Sequence, residues 1–211
     1  MVSGYRTVAR DAEAETEVKR SRFLATLVRV ESEDAARAVV ARLRKEHWDA
    51  RHHCTAYVLG PEAAIERSSD DGEPAGTAGA PMLEVLRGHG LSDVVAVVTR
   101  WFGGTLLGAG GLVRAYGDAV RAGLDAAGTL RRDLLTEHLL DLGHADAGRI
   151  EGELRQRGVT VLDTSYGAVV TLRLAVPPDG EERLAGLVAE LTGGTGATSP
   201  AGQRWVDSLD P

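Results

Sequence analysis

Residues 94–117, VVAVVTRWFGGTLLGAGGLVRAYG, join an unbroken apolar run to a glycine-rich loop and then to a helical pattern. The run 94–98 has no polar alternation, which predicts a central strand covered on both faces. Apolar residues at helical spacing predict a long amphipathic helix after the loop, ending near Gly128. They are Leu112, Tyr116, Ala119, Val120, Gly123, Leu124 and Ala127. The strand therefore delivers Arg100 to a glycine loop that opens a helix.

A second glycine-rich segment, SDDGEPAGTAG at residues 69–79, precedes another predicted helix. Pro81 suits the first turn of that helix. Stretches so rich in glycine are poor in core side chains, and functional surfaces are often built from such loops. We expect the two glycine loops to lie at helix N-termini and to form one functional surface.

The remainder of the first half predicts two strands and one helix. Residues 18–30 are interpreted as a strand, and Ser32 as the N-cap of a helix that ends near Lys45. Residues 52–59 predict a second strand, with 63–67 as a short hairpin arm paired to it.

The second half has the element order βαββαβ, which is typical of the ferredoxin-like split βαβ motif. We therefore predict an α+β protein with two domains, residues 1–133 and 134–211. The predicted strands are 134–142, 159–163, 166–176 and a short one at Trp205-Val206, and the predicted helices are 145–157 and 179–191.

Composition bounds the class of protein. The chain has 211 residues, 43% of them hydrophobic, which is ample for a packed core. Its longest apolar run is far shorter than the roughly 20 residues of a membrane span, and the N-terminus lacks an apolar signal core. The single cysteine, Cys54, cannot form an internal disulfide. We expect a cytoplasmic protein with no membrane partner.

The net charge of −7 is unevenly distributed along the chain. Residues 1–135 hold 18 basic and 19 acidic residues, a net −1, whereas residues 136–211 hold 6 and 12, a net −6. Nucleic-acid affinity depends mainly on neutralised phosphates. Any nucleic-acid contact is therefore expected in the first part, without DNA sequence specificity.

Asp70, Asp71 and Glu73 place three carboxylates within four residues. Carboxylate oxygens suit Mg²⁺ or Ca²⁺, although the spacing does not match an EF-hand loop. The alternative is an acidic turn whose aspartates cap nearby amides.

Both glycine loops are candidate anion sites. Residues 76–79 and 108–111 would expose unpaired backbone N–H groups at the positive end of a helix, with Arg114 one turn into the second helix. Neither stretch matches a nucleotide fingerprint, because no Gly-Lys-Ser/Thr is present and Val113 stands where a third glycine would be. The alternative is that the glycines only permit close packing.

Two further groups have a functional and a structural interpretation. His52 and Cys54 share one face of a strand, so they could act as a base and a nucleophile or as zinc ligands, but the remaining zinc ligands are missing. The alternative is a buried cysteine beside hydrogen-bonded histidines. Trp101 and Phe102 could stack on a base, or plug the core beneath the glycine turn.

Four motifs in order resemble the IMPACT/YigZ family, and the similarity covers roughly residues 17–125. They are KRSRF at 19–23, HHCTAY at 52–57, DDGEPAGTAG at 70–79, and TRWFGG at 99–104 running on to GAGGLVRAYG at 108–117. The resemblance implies a first domain like the second domain of ribosomal protein S5, an α/β sandwich. It also implies a ferredoxin-like second domain similar to the last domain of the translocating elongation factor.

Both likenesses point to translation, and the family has no settled catalytic residues to transfer. We predict a non-enzymatic regulator that binds the ribosome, RNA or a translation factor, with no cofactor, metal ligand or catalytic residue assigned. A metal-assisted hydrolase and a phosphate or nucleotide sensor without turnover are the alternatives. The candidate residues for binding a partner or a phosphate-bearing ligand are Arg22, His52, Asp70, Asp71, Glu73, Gly76, Thr77, Arg100, Gly103, Gly104, Gly110 and Arg114.

Overall fold

The structure, a computed structural model, describes residues 2–208, which divide into two compact units. The first unit runs through Arg132 and takes in Ser208, and the second spans Asp133–Asp207. Each unit combines helices with antiparallel strand pairs, so the predicted α+β class with two domains is confirmed. Within residues 2–208, no helix is long and apolar enough to cross a membrane.

The first unit holds six strands and three helices. In chain order they are β1 (Gly4–Val8), β2 (Ala12–Val18), β3 (Ser21–Arg29), α1 (Glu33–Glu46), β4 (His52–Leu59), β5 (Ile65–Ser69), α2 (Gly79–Gly88), β6 (Val94–Trp101) and α3 (Ala109–Ala127). Five of the strands form an antiparallel sheet in the order β2-β3-β6-β4-β5. Strand β6 therefore lies at the centre of the sheet.

The central strand is buried on both faces, as its unbroken apolar run predicts. Val94, Ala96 and Val98 pack in a core that includes buried residues of α2 and α3. Val95 and Val97 lie on the opposite face and pack against α1. Helix α1 thus covers one face of the sheet, and α2 and α3 cover the other.

The strand register gathers several predicted residues at one end of this sheet. On β6, Arg100 is paired with Phe23 of β3 and with His52 of β4. The next residue, Trp101, is paired with Arg22 of β3. This end of the sheet leads directly into the glycine loop before α3.

The predicted strand 18–30 is wrong as a single element, because the chain reverses at Lys19-Arg20. Val18 ends β2 and is paired with Ser21 of β3, which leaves a two-residue hairpin turn. Lys19 and Arg20 both have positive φ, 48° and 66°. Tight hairpin turns require this backbone and normally use Asn-Gly, so the sequence carries no usual turn signal here. Strands β1 and β2 were not predicted.

The other boundaries in this unit differ by a few residues. The Ser32 hydroxyl accepts a hydrogen bond from the Ala35 amide, which confirms the predicted N-cap of α1. Helix α2 begins at Gly79, two residues before Pro81. Strand β5 pairs with β4 as the predicted hairpin arm, but it spans Ile65–Ser69.

The second unit contains the predicted βαββαβ order. Its elements are β7 (Thr129–Leu142, which begins before Asp133), α4 (His144–Gln156), β8 (Thr160–Tyr166), β9 (Val170–Val176), α5 (Glu181–Leu191) and β10 (Thr198–Ser208). Strand β9 lies between β7 and β8, and β10 also pairs with β7. The predicted strand 166–176 is corrected at its start, since Tyr166 ends β8 and a turn precedes Val170. The last strand is also longer than predicted.

Candidate functional site

The carboxylate of Asp70 occupies the N-terminus of α2. It accepts hydrogen bonds from the backbone amides of Gly76, Ala78 and Gly79, at 2.8, 3.0 and 2.8 Å. The amide and the hydroxyl of Thr77 both donate to the Pro74 carbonyl. The expectation of unpaired amides at residues 76–79 is therefore wrong, because the loop supplies its own acceptors.

These hydrogen bonds stabilise the charged form of Asp70. Burial would raise the pKa of this carboxyl, but the amides of Gly76, Gly79 and Ala78 together hold the pKa below its usual range. The interpretation of Asp70 as a capping residue of the turn is the one that its contacts support.

Asp71 ties the same loop to α1 and β4. Its Oδ1 accepts from Arg44 Nη2 at 2.5 Å, and its Oδ2 accepts from the His53 amide at 2.6 Å. Its carbonyl oxygen lies 2.9 Å from His52 Nδ1. Asp71 therefore holds the loop against the end of the sheet.

Glu73 is the third acid, and it is buried. Arg100 Nη1 donates to Glu73 Oε1 at 2.5 Å, and the Tyr116 hydroxyl donates to the same oxygen at 2.7 Å. His52 Nε2 lies 3.9 Å from that oxygen. The carboxylates of the three acids thus form hydrogen bonds with different protein groups. In the part of the chain that the structure describes, no group of three His, Cys, Asp or Glu side chains is arranged to hold a metal ion.

Cys54 is a buried packing residue with a protonated thiol. Its Sγ lies 3.0 Å from the Asp70 carbonyl oxygen and 3.3 Å from the Tyr116 hydroxyl. Burial raises the pKa of the Cys54 thiol to about 12, against the lowering effect of the Tyr116 hydrogen bond. His53 lies on the other face of the strand. Its pKa is lowered mainly by burial and, to a smaller extent, by the positive charge of Arg44. At neutral pH Cys54 therefore carries almost no thiolate, the form that a nucleophile requires. This argues against the nucleophile-and-base interpretation.

Arg100 forms the floor of a cleft beside the second glycine loop. Its side chain is 7% exposed, and besides Glu73 it reaches the Ser21 hydroxyl at 3.4 Å. Its Nε is buried and has no hydrogen-bond partner among the described residues. The guanidinium also lies near the rings of Phe23 and Phe102, at 5.3 and 5.7 Å from their centroids.

This cleft, here called the α3 cleft, has a volume of about 380 Å³. It lies between the start of α3, the Gly104–Gly108 stretch of the loop and the first residues of β4. Its lining residues are Arg51, His52, Glu73, Pro74, Arg100, Phe102, Leu106, Leu107, Gly108, Ala109 and Leu112.

The N-terminus of α3 differs from that of α2. Its N-cap is Gly108, with φ 72°, so no side chain accepts from the first amides, and its first turn contains no acid. A Cβ built at Gly110 would meet nothing within 4 Å. The space around Gly110 is therefore open, whereas a Cβ at Gly111 would lie 3.1 Å from Leu107 Cβ.

Arg51 is a cation that sequence reasoning missed. It lies one residue before β4, its guanidinium is 5.8 Å from the Phe102 ring centroid, and it makes no ion pair among residues 2–208. Only the register that pairs His52 with Arg100 brings it to the cleft. Phe102 itself is 41% exposed, so it does not plug the core.

Arg22 and Trp101 form a separate stack at the edge of this region. The Arg22 guanidinium lies 4.7 Å from the Trp101 ring centroid and makes two hydrogen bonds to Glu15. The Trp101 indole N–H donates to Asp49 at 3.0 Å. Trp101 is partly buried at this end of the sheet. Neither of the two predicted roles of Trp101, stacking on a base or plugging the core, describes its contact with Arg22.

Gly103 anchors the loop to the Lys19-Arg20 turn. A Cβ at Gly103 would come within 2.1 to 2.3 Å of backbone atoms of Arg20 and Ser21. The Gly103 amide donates to the Ser21 hydroxyl at 3.1 Å. Gly104 follows with φ 83°, a backbone that favours glycine. Both glycines thus have structural reasons for their positions. The close contact at Gly103 also brings the turn that carries the cations Lys19 and Arg20 next to the loop.

Arg114 lies outside the α3 cleft. It lines a groove between α2 and α3, about 480 Å³ in volume, together with residues such as Glu84, Val113 and Arg121. Its guanidinium makes no ion pair in the described part of the chain. The predicted set therefore splits: Arg100, His52 and Glu73 line the cleft, Gly110 directly follows its lining residue Ala109, and Arg114 lies in the groove between α2 and α3.

Comparison with known proteins identifies two matching domains. Residues 19–124 match the Impact N-terminal domain, and residues 140–195 match a domain of unknown function, DUF1949. The IMPACT family member YvyE of Bacillus subtilis is 41% identical over 194 residues, which cover 92% of this chain and 89% of that protein. The IMPACT family member YigZ of Escherichia coli is 46% identical over 163 residues, covering 76% and 80%.

Two further comparisons bear on the extent of the similarity. Protein IMPACT of Rattus norvegicus is 36% identical over 95 residues, which cover 43% of this chain and 29% of that protein. A crystal structure of a hypothetical protein superposes with a TM-score of 0.64 at 39% identity, covering 94% of this chain and 97% of that one.

Proposed function

The chain belongs to the IMPACT family, and from that premise we propose that it is a non-enzymatic, translation-associated regulator that binds RNA, on the ribosome or free. The binding surface in this proposal is the end of the first unit's sheet that carries the α3 cleft, together with the groove between α2 and α3 that Arg114 lines. The competing proposal is that the direct partner is a translation factor or another protein, and the RNA-binding experiment distinguishes the two.

One contrast between the two glycine loops carries the proposal. In the first loop, backbone amides donate to the loop's own acid, Asp70, whose carboxylate closes the N-terminus of α2. The second loop leaves the N-terminus of α3 without an acid, beside Arg51 and an exposed Phe102. Helix N-termini and arginines are the groups that proteins use against phosphate, and exposed rings stack on unpaired bases.

The charges around this surface favour a polyanion. Arg51 and Arg114 have no acidic partner among residues 2–208, and Lys19 and Arg20 form the adjacent hairpin turn. Glu73, the acid in the cleft, is paired with Arg100, so its negative charge is offset. The acidic residues 136–211 make the second unit a poor candidate for the RNA contact.

The metal-assisted hydrolase is less well supported. It requires Asp70, Asp71 and Glu73 to direct carboxylate oxygens at one ion. Instead, Asp70 caps a helix, Asp71 binds Arg44 and Glu73 binds Arg100. Freeing all three would break contacts that hold the loop in place.

The test is the salt dependence of RNA binding by the full chain. Fluorescence anisotropy with a labelled single-stranded RNA of about a dozen nucleotides should give affinity that falls as salt rises. Each lost phosphate contact should reduce the slope of log K against log salt by about 0.7. We expect Arg51→Ala and Arg114→Ala each to weaken binding and to reduce that slope.

Arg42→Ala is the matched control, since this exposed arginine lies on α1, which covers the opposite face of the sheet. It removes the same charge and should bind RNA like the unmodified chain. Binding that ignores salt, or equal binding by all three variants, would contradict the proposal and favour a protein partner.

A further inference from the structure

The α3 cleft has the size of a site for a small ligand. Its volume of about 380 Å³ lies near the lower end of the roughly 300–1,000 Å³ range of such sites. The cleft is too small for a base-paired duplex, but it has room for one unstacked nucleotide. The cleft also has a polar end and an apolar side.

The polar end is the first turn of α3. The amides of Ala109, Gly110 and Gly111 have no carbonyl acceptor within the helix, as for every helix start. The surroundings of Gly110 are open, and the Arg51 guanidinium stands beside the cleft. A phosphate at this turn would receive amide hydrogen bonds and a compensating charge.

Arg100 supplies an independent indication of a ligand. Its side chain is more than nine-tenths buried and lines the cleft, and its Nε–H has no acceptor among the described residues. Buried N–H groups without an acceptor are uncommon in folded proteins. Nε itself is enclosed by protein, so an oxygen of a bound phosphate or sugar becomes its acceptor only when the guanidinium turns toward the cleft.

The apolar side presents a ring and aliphatic side chains. Phe102 is 41% exposed and Leu106 is 83% exposed, and both line the cleft with Leu107 and Leu112. A contiguous apolar patch rimmed by polar groups can mark a ligand-binding groove, whereas single exposed apolar side chains are ordinary. A flat aromatic base would cover them.

From these observations we propose that the α3 cleft binds one unstacked nucleotide of single-stranded RNA. The base lies against Phe102, and the phosphate lies at the first turn of α3 beside Arg51. This inference rests on the proposed function and specifies what the RNA must offer, namely an unpaired nucleotide and not the shape of a duplex.

The first experiment compares ligands by calorimetry on the full chain. The ligands are a nucleoside monophosphate, ribose 5-phosphate and inorganic phosphate. Base stacking of the usual strength should make the nucleotide bind roughly 5- to 150-fold more tightly than ribose 5-phosphate. Equal affinity for these two ligands would overturn the inference.

Substitutions separate the two ends of the cleft. Phe102→Leu should abolish the advantage of the nucleotide over ribose 5-phosphate, whereas Arg51→Ala should weaken binding of all three ligands. The controls are Trp48→Leu, which removes a ring that is 81% exposed and outside the cleft, and Arg42→Ala. Neither control should change nucleotide affinity, and an equal loss in either would overturn the inference.

The second experiment compares single-stranded with double-stranded RNA of the same sequence and salt. Preference for the single strand, lost in Phe102→Leu, supports the inference. Salt-dependent binding of both forms with equal affinity would overturn it and leave the proposed function standing. Nucleotide binding without any RNA binding would overturn the proposed function, and the cleft would then serve a small phosphate ligand.

Discussion

Arg100 and Glu73 form a buried ion pair at the floor of the α3 cleft, with Nη1 of the arginine 2.5 Å from Oε1 of the glutamate. Their side chains are 7% and 4% exposed. Tyr116 of α3 donates to the same carboxylate oxygen, so three segments meet at one atom. The pair joins the first glycine loop to the strand that leads into the second, which fixes the two loops relative to each other.

Removal of one partner of this pair should destabilise the fold strongly. Glu73→Ala leaves the Arg100 guanidinium buried and unpaired, which typically costs about 3–5 kcal/mol. Urea denaturation of the full chain measures the free energy of unfolding. Glu46→Ala is the control, because its exposed pair with Arg42 should contribute about 1 kcal/mol or less. Equal losses in the two variants would contradict the prediction.

The double variant Glu73→Gln with Arg100→Met should lose less stability than the sum of its single substitutions. Residues in direct contact are not additive, because the first substitution already removes the interaction. Strict additivity would show that the ion pair contributes little to the fold.

Asp70→Ala should destabilise the protein in a pH-dependent way. The loss of a capping carboxylate typically costs about 0.5–2 kcal/mol. Because the folded pKa of Asp70 is lowered, its contribution is present above the unfolded pKa of about 3.9 and is lost as pH falls through the folded pKa.

Thermal or urea unfolding from pH 7 to pH 2 tests this sign. The stability gap between Asp70→Ala and the unmodified chain should be full at pH 7 and should close at the acidic end. Asp34→Ala, at an exposed position in the first turn of α1, should show a smaller gap at neutral pH. A gap that widens with acid would contradict the assignment.

The Cys54 thiol should resist alkylation in the folded protein. Its pKa of about 12 leaves very little thiolate at pH 8, and Sγ is enclosed by Asp70 and Tyr116. Mass spectrometry after iodoacetamide treatment should find slow labelling in buffer and rapid labelling in denaturant, where a free thiol has a pKa of about 8.5. Rapid labelling in buffer would show that the residue is accessible.

Substitution by alanine should have opposite effects on stability at Gly103, in the second glycine loop, and at Gly110, at the start of α3. At Gly103 the added Cβ would collide with the backbone of Arg20, so Gly103→Ala should cost at least about 1–3 kcal/mol. At Gly110 nothing lies within 4 Å and the residue is in α3, so Gly110→Ala should be neutral or slightly stabilising. Circular dichroism melts compare the two, and the reverse order would contradict the packing described for Gly103.

Local patterns in the sequence were sufficient for much of the fold. The apolar run 94–98 predicts a central strand because a strand without polar alternation needs cover on both faces. Ser32 and the helical stripe behind it predict α1, and the order βαββαβ predicts the second unit. The hairpin turn at Lys19-Arg20 could not be predicted, since its positive φ angles are imposed by strand pairing and not by residue preference.

The sequence by itself determined the family, the two glycine loops and their positions before helices. It left open whether the acids of the first loop face a cation or the protein, because adjacent carboxylates look alike in either case. Only the tertiary structure decided this, by bringing Arg44 to Asp71, Arg100 to Glu73 and the α2 amides to Asp70. Arg51 reaches the cleft for the same reason: strand register and helix packing, which join residues distant in the chain, are set by the whole sheet and its core.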